Sequence, residues 1–133
     1  MDQKRTSNPH MDLTEKIIGA AMAVHRALGP GLDEKIYENA LCLEFEAQTL
    51  AFTQQQQFPV FYRGTNVGKL ITDLIVEEKV IIETKVASFI NDAHITQTLS
   101  YLSISNLQVG LILNFKCASL TFKRVANIYL HNP

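Results

Sequence analysis

Apolar residues recur at the spacing of an α-helix in three parts of the chain, at about 13–28, 33–50 and 92–105. Gly29-Pro30-Gly31 separates the first two, because glycine and proline interrupt a helix. One apolar stripe on each helix is expected to face the core. In the second helix the predicted stripe is Ile36, Ala40, Leu43, Ala47 and Leu50, and in the third it is Ile95, Leu99 and Leu102.

The stretches outside these helices carry the alternating or continuous apolar patterns of β-strands. Predicted strands cover about 52–62, 67–76, 80–86, 109–115 and 120–129. Short turns, at 63–66 and 77–79, join the first three, which should therefore be antiparallel. The third helix connects the third strand to the fourth, and such a crossover makes two strands parallel. The order helix, helix, three antiparallel strands, helix, strand, strand predicts an α/β fold with a mixed sheet of about five strands flanked by helices.

Length and composition fit one globular domain. The chain has 133 residues, of which 47% are apolar and 19% charged, and its net charge is −1. Proteins that grip long stretches of nucleic-acid backbone usually carry a basic excess, so any such contact here is expected to be local. Cys42 and Cys117 have neither zinc-motif nor disulfide-framework spacing, which favours a reducing, cytoplasmic location.

The polar residues 1–11 are expected to form a disordered leader, and residues 12–133 the domain. Asp12 and Glu15 form a capping-box pattern, which predicts that the first helix begins just after Asp12. No apolar run approaches the roughly 20 residues that span a bilayer, so we expect no membrane segment.

Two carboxylates are expected to meet on neighbouring strands. A three-residue turn at 77–79 would pair Leu74 with Ile82 and place Asp73 opposite Glu83, with Lys85 on the same face. Buried like charges are costly unless a cation lies between them. Lys85 or a divalent ion would meet that need, and Mg²⁺ commonly takes one or two carboxylates.

Two alternatives to this metal site stay open. The three side chains could form exposed ion pairs on a surface hairpin, with no ion bound. A two-residue turn would shift the register by one and place Asp73 and Glu83 on opposite faces of the sheet.

Several motifs resemble one known group of proteins. Gly31 to Tyr37 reads GxxExxY, Asp73 and Glu83-Thr84-Lys85 read D…ExK, and Gln97 with Tyr101 reads QxxxY. In this order, over about 13–125, they resemble the GxxExxY protein family, a group of small bacterial proteins within the PD-(D/E)XK nuclease superfamily, and the QxxxY spacing resembles that of RecB-like and Cas4-like members. Thr72 stands where the superfamily label has proline.

The resemblance implies a restriction-endonuclease-like core and a nuclease that uses Mg²⁺ or Mn²⁺ to hydrolyse phosphodiester bonds in DNA or RNA. It implies that Asp73, Glu83 and the Thr84 carbonyl hold the metal and that Lys85 is the active-site lysine. Glu34 would supply a further carboxylate to the metal or to its water. The remaining site residues, which would hold substrate or support the site, are Gln97, Tyr101 and Tyr37.

The residues themselves also allow other roles. Glu38 could take the place of Glu34, which could be a first-turn carboxylate favoured by the helix dipole. Tyr37 is expected to pack in the core with its hydroxyl bonded, and His25 to be a hydrogen-bonded structural residue. Two alternative functions stay open: a non-catalytic module that binds nucleic acid or protein, and a homodimer in an assembly role.

Overall fold

The structure, a computed structural model, describes residues 9–127. Its helices are α1 (Met11–Leu28), α2 (Glu34–Ala47) and α3 (Asp92–Ser105). Its strands are β1 (Phe52–Gln54), β2 (Gln57–Tyr62), β3 (Thr65–Ile71), β4 (Leu74–Val76), β5 (Val80–Lys85), β6 (Val109–Asn114) and β7 (Thr121–Ala126). No helix within the described residues is long and apolar enough to cross a bilayer.

The main sheet has five strands in the order β1-β4-β5-β6-β7. Strands β5 and β6 are parallel and joined through α3, while the other neighbouring pairs are antiparallel. The predicted α/β fold with a mixed five-stranded sheet flanked by helices is confirmed. The strand predicted over 52–62 is divided at residues 55–56 into β1, which joins the main sheet, and β2, which forms a separate two-stranded hairpin with β3.

The sheet is covered on both faces, which gives three layers. Helices α1 and α2 bury their apolar residues against one face, and α3 packs on the other. On the α3 side the fully or nearly fully buried apolar residues are Ile75, Ile81, Leu102, Ile112 and Val125. Strand β6 is buried along its whole length, as its unbroken apolar run predicted.

The predicted core stripe of the second helix is only partly confirmed, since Ala40 and Leu50 pack against the core but the other members do not. Ile36 is 44% exposed and Leu43 is 69% exposed, whereas Tyr37, Glu38, Leu41 and Phe45 are buried. These four residues share the neighbouring face, because positions three and four apart lie together on a helix. Tyr37 and Phe45 on this face are fully buried, and aromatic side chains of this size contribute strongly to a core.

The stripe of the third helix is partly wrong. Leu102 is buried and Ile95 is packed against the core, but Leu99 is 38% exposed and Thr98 takes the buried position. The helix sits close to the sheet there, since a Cβ built on Gly110 of β6 would lie 2.7 Å from the Thr98 methyl carbon. A short side chain at 98 and none at 110 let the two elements approach.

Replacing Gly110 with alanine should lower the free energy of unfolding by about 1–3 kcal/mol, because a new methyl group would overfill this contact. Chemical denaturation measures the change. Gly19→Ala is the matched control, since nothing lies within 4 Å of its added Cβ in α1 and alanine favours a helix. Adding Thr98→Ser, which removes the opposing methyl, should restore stability; failure to do so would contradict the steric cause.

The first helix starts earlier than predicted, whereas the third starts at Asp92 as predicted. Helix α1 begins at Met11, and its N-cap residue is His10, which makes no side-chain capping bond. Asp12 therefore lies inside the first turn, and the predicted capping box there is wrong. A capping box does occur at α3, where Asn91 and His94 bond each other's backbone. Residues 1–8 of the predicted leader lie outside the described residues.

The strand predicted over 67–76 is broken at Thr72-Asp73 into β3 and β4. At the break the backbone forms hydrogen bonds with the segment that connects β1 and β2. Thr72 N–H donates to the Gln56 carbonyl, and Gln55 N–H donates to the Asp73 carbonyl, each at 3.0 Å. The chain therefore leaves the hairpin and enters the main sheet at Asp73. Residues 128–129 of the last predicted strand lie outside the described residues.

The predicted register of β4 and β5 is confirmed. Leu74 pairs with Ile82 and Val76 with Val80, around the three-residue turn 77–79. The turn joining β2 and β3 is narrower than predicted, because Thr65 and Asn66 belong to β3. Arg63 and Gly64 both have positive φ, as a two-residue hairpin turn of this kind requires.

Candidate functional site

The candidate site lies where β4 begins and β5 ends. Asp73 stands immediately before β4, so it lies outside the ladder in which a direct pairing with Glu83 was predicted. Glu83 and Lys85 are in β5, and alternation from the buried Ile81 directs both to the α3 side of the sheet. The bend before β4 and the last residues of β5 thus bring the D…ExK residues to one edge of the domain.

Asp73 continues the hydrogen bonding of β5 beyond the first residue of β4. Its Oδ2 accepts hydrogen bonds from the Thr84 backbone N–H at 2.9 Å and from the Thr84 hydroxyl at 3.1 Å. Burial nevertheless raises the pKa of the Asp73 carboxyl, opposed by the Thr84 bonds and aided by the charges of Glu38 and Glu34. The carboxylate is thus fixed in place, and its negative charge is offset by two neutral donors.

Glu83 is the least satisfied polar group of the site. Its side chain is buried, with 4% of the residue exposed, and its Oε2 has no hydrogen-bond partner. Burial first, and then the charge of Asp73, raise the pKa of Glu83 to about 8, against a smaller opposing effect of Lys85. An unpaired buried carboxylate oxygen costs free energy. A cation bound to Glu83, or a proton on it, would reduce that cost.

Helix α3 places the QxxxY residues over the same end of β5. Lys85 Nζ donates to Gln97 Oε1 at 3.2 Å, which orients the lysine toward α3. Burial, followed by the charges of Glu83 and Asp73, raises the pKa of the Tyr101 phenol, and a side-chain hydrogen bond with Gln97 opposes that rise. Tyr101 is therefore close enough to both carboxylates to feel their charge.

Helix α2 contributes two more carboxylates from the other layer. Glu34 is exposed, and its Oε2 accepts a hydrogen bond from Val86 N–H at 3.3 Å, just past β5. Glu38 is buried, and its Oε2 accepts from Lys35 at 3.2 Å, Gln54 at 2.7 Å and Gln55 at 3.0 Å. Both charges raise the pKa of Asp73 and of Glu83, so both carboxylates lie within electrostatic reach of the site.

Two supporting features were missed from the sequence. Gln54 and Gln55 anchor Glu38, and the run of four glutamines that holds them gave the only signal. Asn114, fully buried at the end of β6, bonds both the N–H and the carbonyl of Ala87, at 3.1 and 2.8 Å. A polar residue at the end of an apolar strand was the available signal for this clamp, which holds the chain leaving Lys85.

The side chains of the site supply only some of the ligands that a hard divalent ion needs. Within residues 9–127, no three His, Cys, Asp or Glu side chains are grouped so that they could hold one metal ion. Mg²⁺ commonly takes one or two protein carboxylates and keeps waters in its other positions. The free, buried Oε2 of Glu83 beside the charge of Asp73 meets that smaller requirement, so the donor set fits such an ion.

The family of the chain follows from comparison of its sequence with family models. Residues 11–125 match the model of the PD-(D/E)XK nuclease superfamily. The chain belongs to this superfamily. The match contains all the D…ExK and QxxxY positions described above, and the narrower resemblance to the GxxExxY family stays a prediction.

This chain is similar in fold to a solved structure described as "Crystal structure of SSO0001". It superposes with a TM-score of 0.58 at 15% identity, covering 89% of this chain and 59% of that one. At this identity the likeness concerns the fold alone, and this chain spans less than two thirds of the other protein. Among curated proteins no match is found.

Three further residues have structural contacts. Tyr37 is fully buried, stacks on Phe115 with ring centres 4.4 Å apart, and donates to the Gly29 carbonyl at 2.5 Å. Its packing and its bonded hydroxyl agree with the expected core position. His25 Nε2 lies 2.9 Å from the Cys117 carbonyl oxygen, as expected of a hydrogen-bonded structural histidine, and His94 belongs to the α3 cap.

Replacing Tyr37 with phenylalanine should lower the free energy of unfolding by about 1–3 kcal/mol, because the Gly29 carbonyl and Leu32 N–H would lose their shared partner. Thermal and urea denaturation measure the loss. Tyr62→Phe, at an exposed position, is the control. Equal stability of Tyr37→Phe and the wild type would contradict a structural role for the Tyr37 hydroxyl.

Proposed function

We propose that this chain is a divalent-metal-dependent nuclease that hydrolyses phosphodiester bonds in DNA or RNA. The observation that supports the proposal most is the buried Glu83 carboxylate, whose Oε2 has no partner although Asp73 and Lys85 lie at the same edge. A protein stabilised for folding alone would gain by replacing such a group. Membership of the PD-(D/E)XK nuclease superfamily supports the same function.

In this proposal Asp73 and Glu83 hold Mg²⁺ or Mn²⁺, with the Thr84 carbonyl as a further ligand. The bound ion would polarise the phosphodiester and favour formation of hydroxide from water. The two Thr84 bonds keep the Asp73 carboxylate fixed on the protein side, which orients its remaining oxygen. Such a fixed donor requires little reorganisation when charge develops on the phosphate.

Lys85 and the residues around it would act on the phosphate and on the attacking water. The Lys85 ammonium would offset charge building on the phosphate oxygens, and Gln97 holds it in position. Glu34, the exposed carboxylate at the end of β5, would accept a proton from the water or bond it. Tyr101 would position the substrate or support the site from α3.

The test is cleavage of labelled single-stranded and double-stranded DNA and RNA by the purified chain. Products should form with Mg²⁺ or Mn²⁺ and disappear with a chelator, and Asp73→Ala purified in parallel should give none. Absence of cleavage on all four substrates with both ions would contradict the proposal. Nucleic-acid or protein binding that survives Asp73→Ala and needs no metal would instead support a non-catalytic binding module.

A further inference from the structure

The β2–β3 hairpin differs from the rest of the chain in charge and in exposure. From Ala51 to Thr72 the sequence contains two basic residues, Arg63 and Lys69, and no acidic residue, although the whole chain has 13 acidic residues. At its end Phe61 is 62% exposed and Tyr62 is 67% exposed, on either side of the backbone. A net-negative chain therefore carries one cationic, aromatic projection.

The two faces of the hairpin have different surroundings. On the inner face Phe58, Val60 and Leu70 are half-buried, and Phe58 packs against the core on the α3 side. On the outer face the alternating positions are exposed along the whole hairpin: Gln57, Pro59, Phe61, Lys69 and Ile71. The inner face fixes the hairpin to the domain, and the outer face and the tip are available to a ligand.

The base of the hairpin is joined directly to the candidate site. Asp73 follows β3 after a single residue, and its carbonyl accepts from Gln55 N–H at 3.0 Å. The Gln55 side chain in turn donates to the buried Glu38 at 3.0 Å. Six residues of strand extend about 20 Å, so a polymer passing the carboxylates could follow the hairpin for several nucleotides.

We propose that the β2–β3 hairpin is a binding arm for single-stranded nucleic acid that leads to the Asp73–Glu83 site. Arg63 and Lys69 contact phosphates, and Phe61 and Tyr62 stack on unpaired bases. Exposed aromatics combined with cations are the recognition chemistry of single strands, since every base offers a stacking face. The inference rests on the proposed function for its substrate, but its binding test needs no cleavage.

The charge of the β2–β3 hairpin also argues against a second copy of the chain as the molecule that binds it. Two hairpins placed face to face would bring Arg63 and Lys69 of both copies together without an acidic residue between them, which repels. A polyanion matches the same surface. The single-stranded class is favoured because the aromatic rings stand at the exposed tip, where they can reach bases that are not paired.

Binding is tested by fluorescence anisotropy with labelled 20-nucleotide poly(dT) and poly(rU), in a chelator so that no strand is cut. The double change Phe61→Ala and Tyr62→Ala should weaken binding about tenfold or more, as loss of base stacking does. Changing Arg63 and Lys69 to glutamine should weaken it and flatten its salt dependence. Phe122→Ala, an exposed phenylalanine on β7, is the control and should bind like the wild type.

A second readout reports stacking itself. The chain contains no tryptophan, so Tyr62→Trp introduces one fluorescent reporter at the tip, and poly(dT) should quench it. Phe122→Trp should not be quenched. The binding-arm proposal is contradicted if the wild type binds neither poly(dT) nor poly(rU). It is also contradicted if the wild type and the aromatic double variant bind equally well, even when cleavage is observed. Reduced binding by that variant in a chain that cuts nothing would retain the arm and reject the nuclease.

Discussion

Replacing Asp73 with asparagine, or Lys85 with glutamine, is expected to lower Mg²⁺-dependent cleavage at least about 100-fold while the protein stays folded. Loss of one preorganised charge that stabilises a transition state has effects of this size. Asparagine can still accept the Thr84 bonds through its amide oxygen, so the local structure should persist. Single-turnover cleavage at saturating protein, measured over a range of Mg²⁺ concentrations, gives the change.

The two variants should differ in how metal affects them. Asp73→Asn should need a higher Mg²⁺ concentration for half-maximal cleavage, because it removes a proposed ligand, whereas Lys85→Gln should lower the maximal rate with little change in that concentration. Lys116→Gln, an exposed lysine past β6, serves as the control and should match the wild type. Cleavage by Asp73→Asn and Lys85→Gln at the wild-type rate would remove these residues from the chemistry.

The metal-free protein should become less stable as pH rises from about 4.5 to about 8, and Glu83→Gln should abolish most of that loss. The Glu83 pKa is about 8 in the folded chain against an ordinary value of 4.5. Between these values the folded state keeps a proton that the unfolded state has released, so stability falls with rising pH. At about 1.4 kcal/mol per pKa unit, the effect at pH 8 has an upper bound of about 5 kcal/mol.

Urea denaturation at several pH values, with a chelator present, measures this dependence. Glu83→Gln should be more stable than the wild type near pH 8 and nearly equal to it near pH 4.5, while the exposed Glu46→Gln should follow the wild type throughout. Added Mg²⁺ should stabilise the wild type at pH 8 by mass action and Glu83→Gln much less. If the difference in free energy of unfolding between Glu83→Gln and the wild type does not change with pH, the pKa of Glu83 is not raised in the folded protein, and the charged carboxylate is already compensated by neighbouring groups.

Metal-dependent cleavage and pH-dependent unfolding probe the same carboxylates in independent ways. The pH dependence concerns folding without metal, and the cleavage assay concerns the chemistry with metal. A stabilising effect of Glu83→Gln together with lost cleavage would identify a position where stability is given up for function, which is common at active sites.

Local sequence patterns determined the elements and the register that build the site. The apolar period located α1, α2, α3 and the buried strands, and the three-residue turn at 77–79 fixed the pairing of Leu74 with Ile82. These features depend on residues close together in the chain, such as side-chain alternation and turn length. The D…ExK spacing could therefore be interpreted before any tertiary contact was known.

The tertiary structure decided which faces are buried and how the carboxylates are held. The burial of Glu38 in place of Ile36 depends on Gln54 and Gln55, and the position of Asp73 outside the ladder depends on bonds to the β1–β2 connection. The separation of the β2–β3 hairpin from the main sheet has the same origin. Each of these outcomes is set by contacts between segments distant in the sequence, whose free energies outweigh the small local preferences that a pattern records.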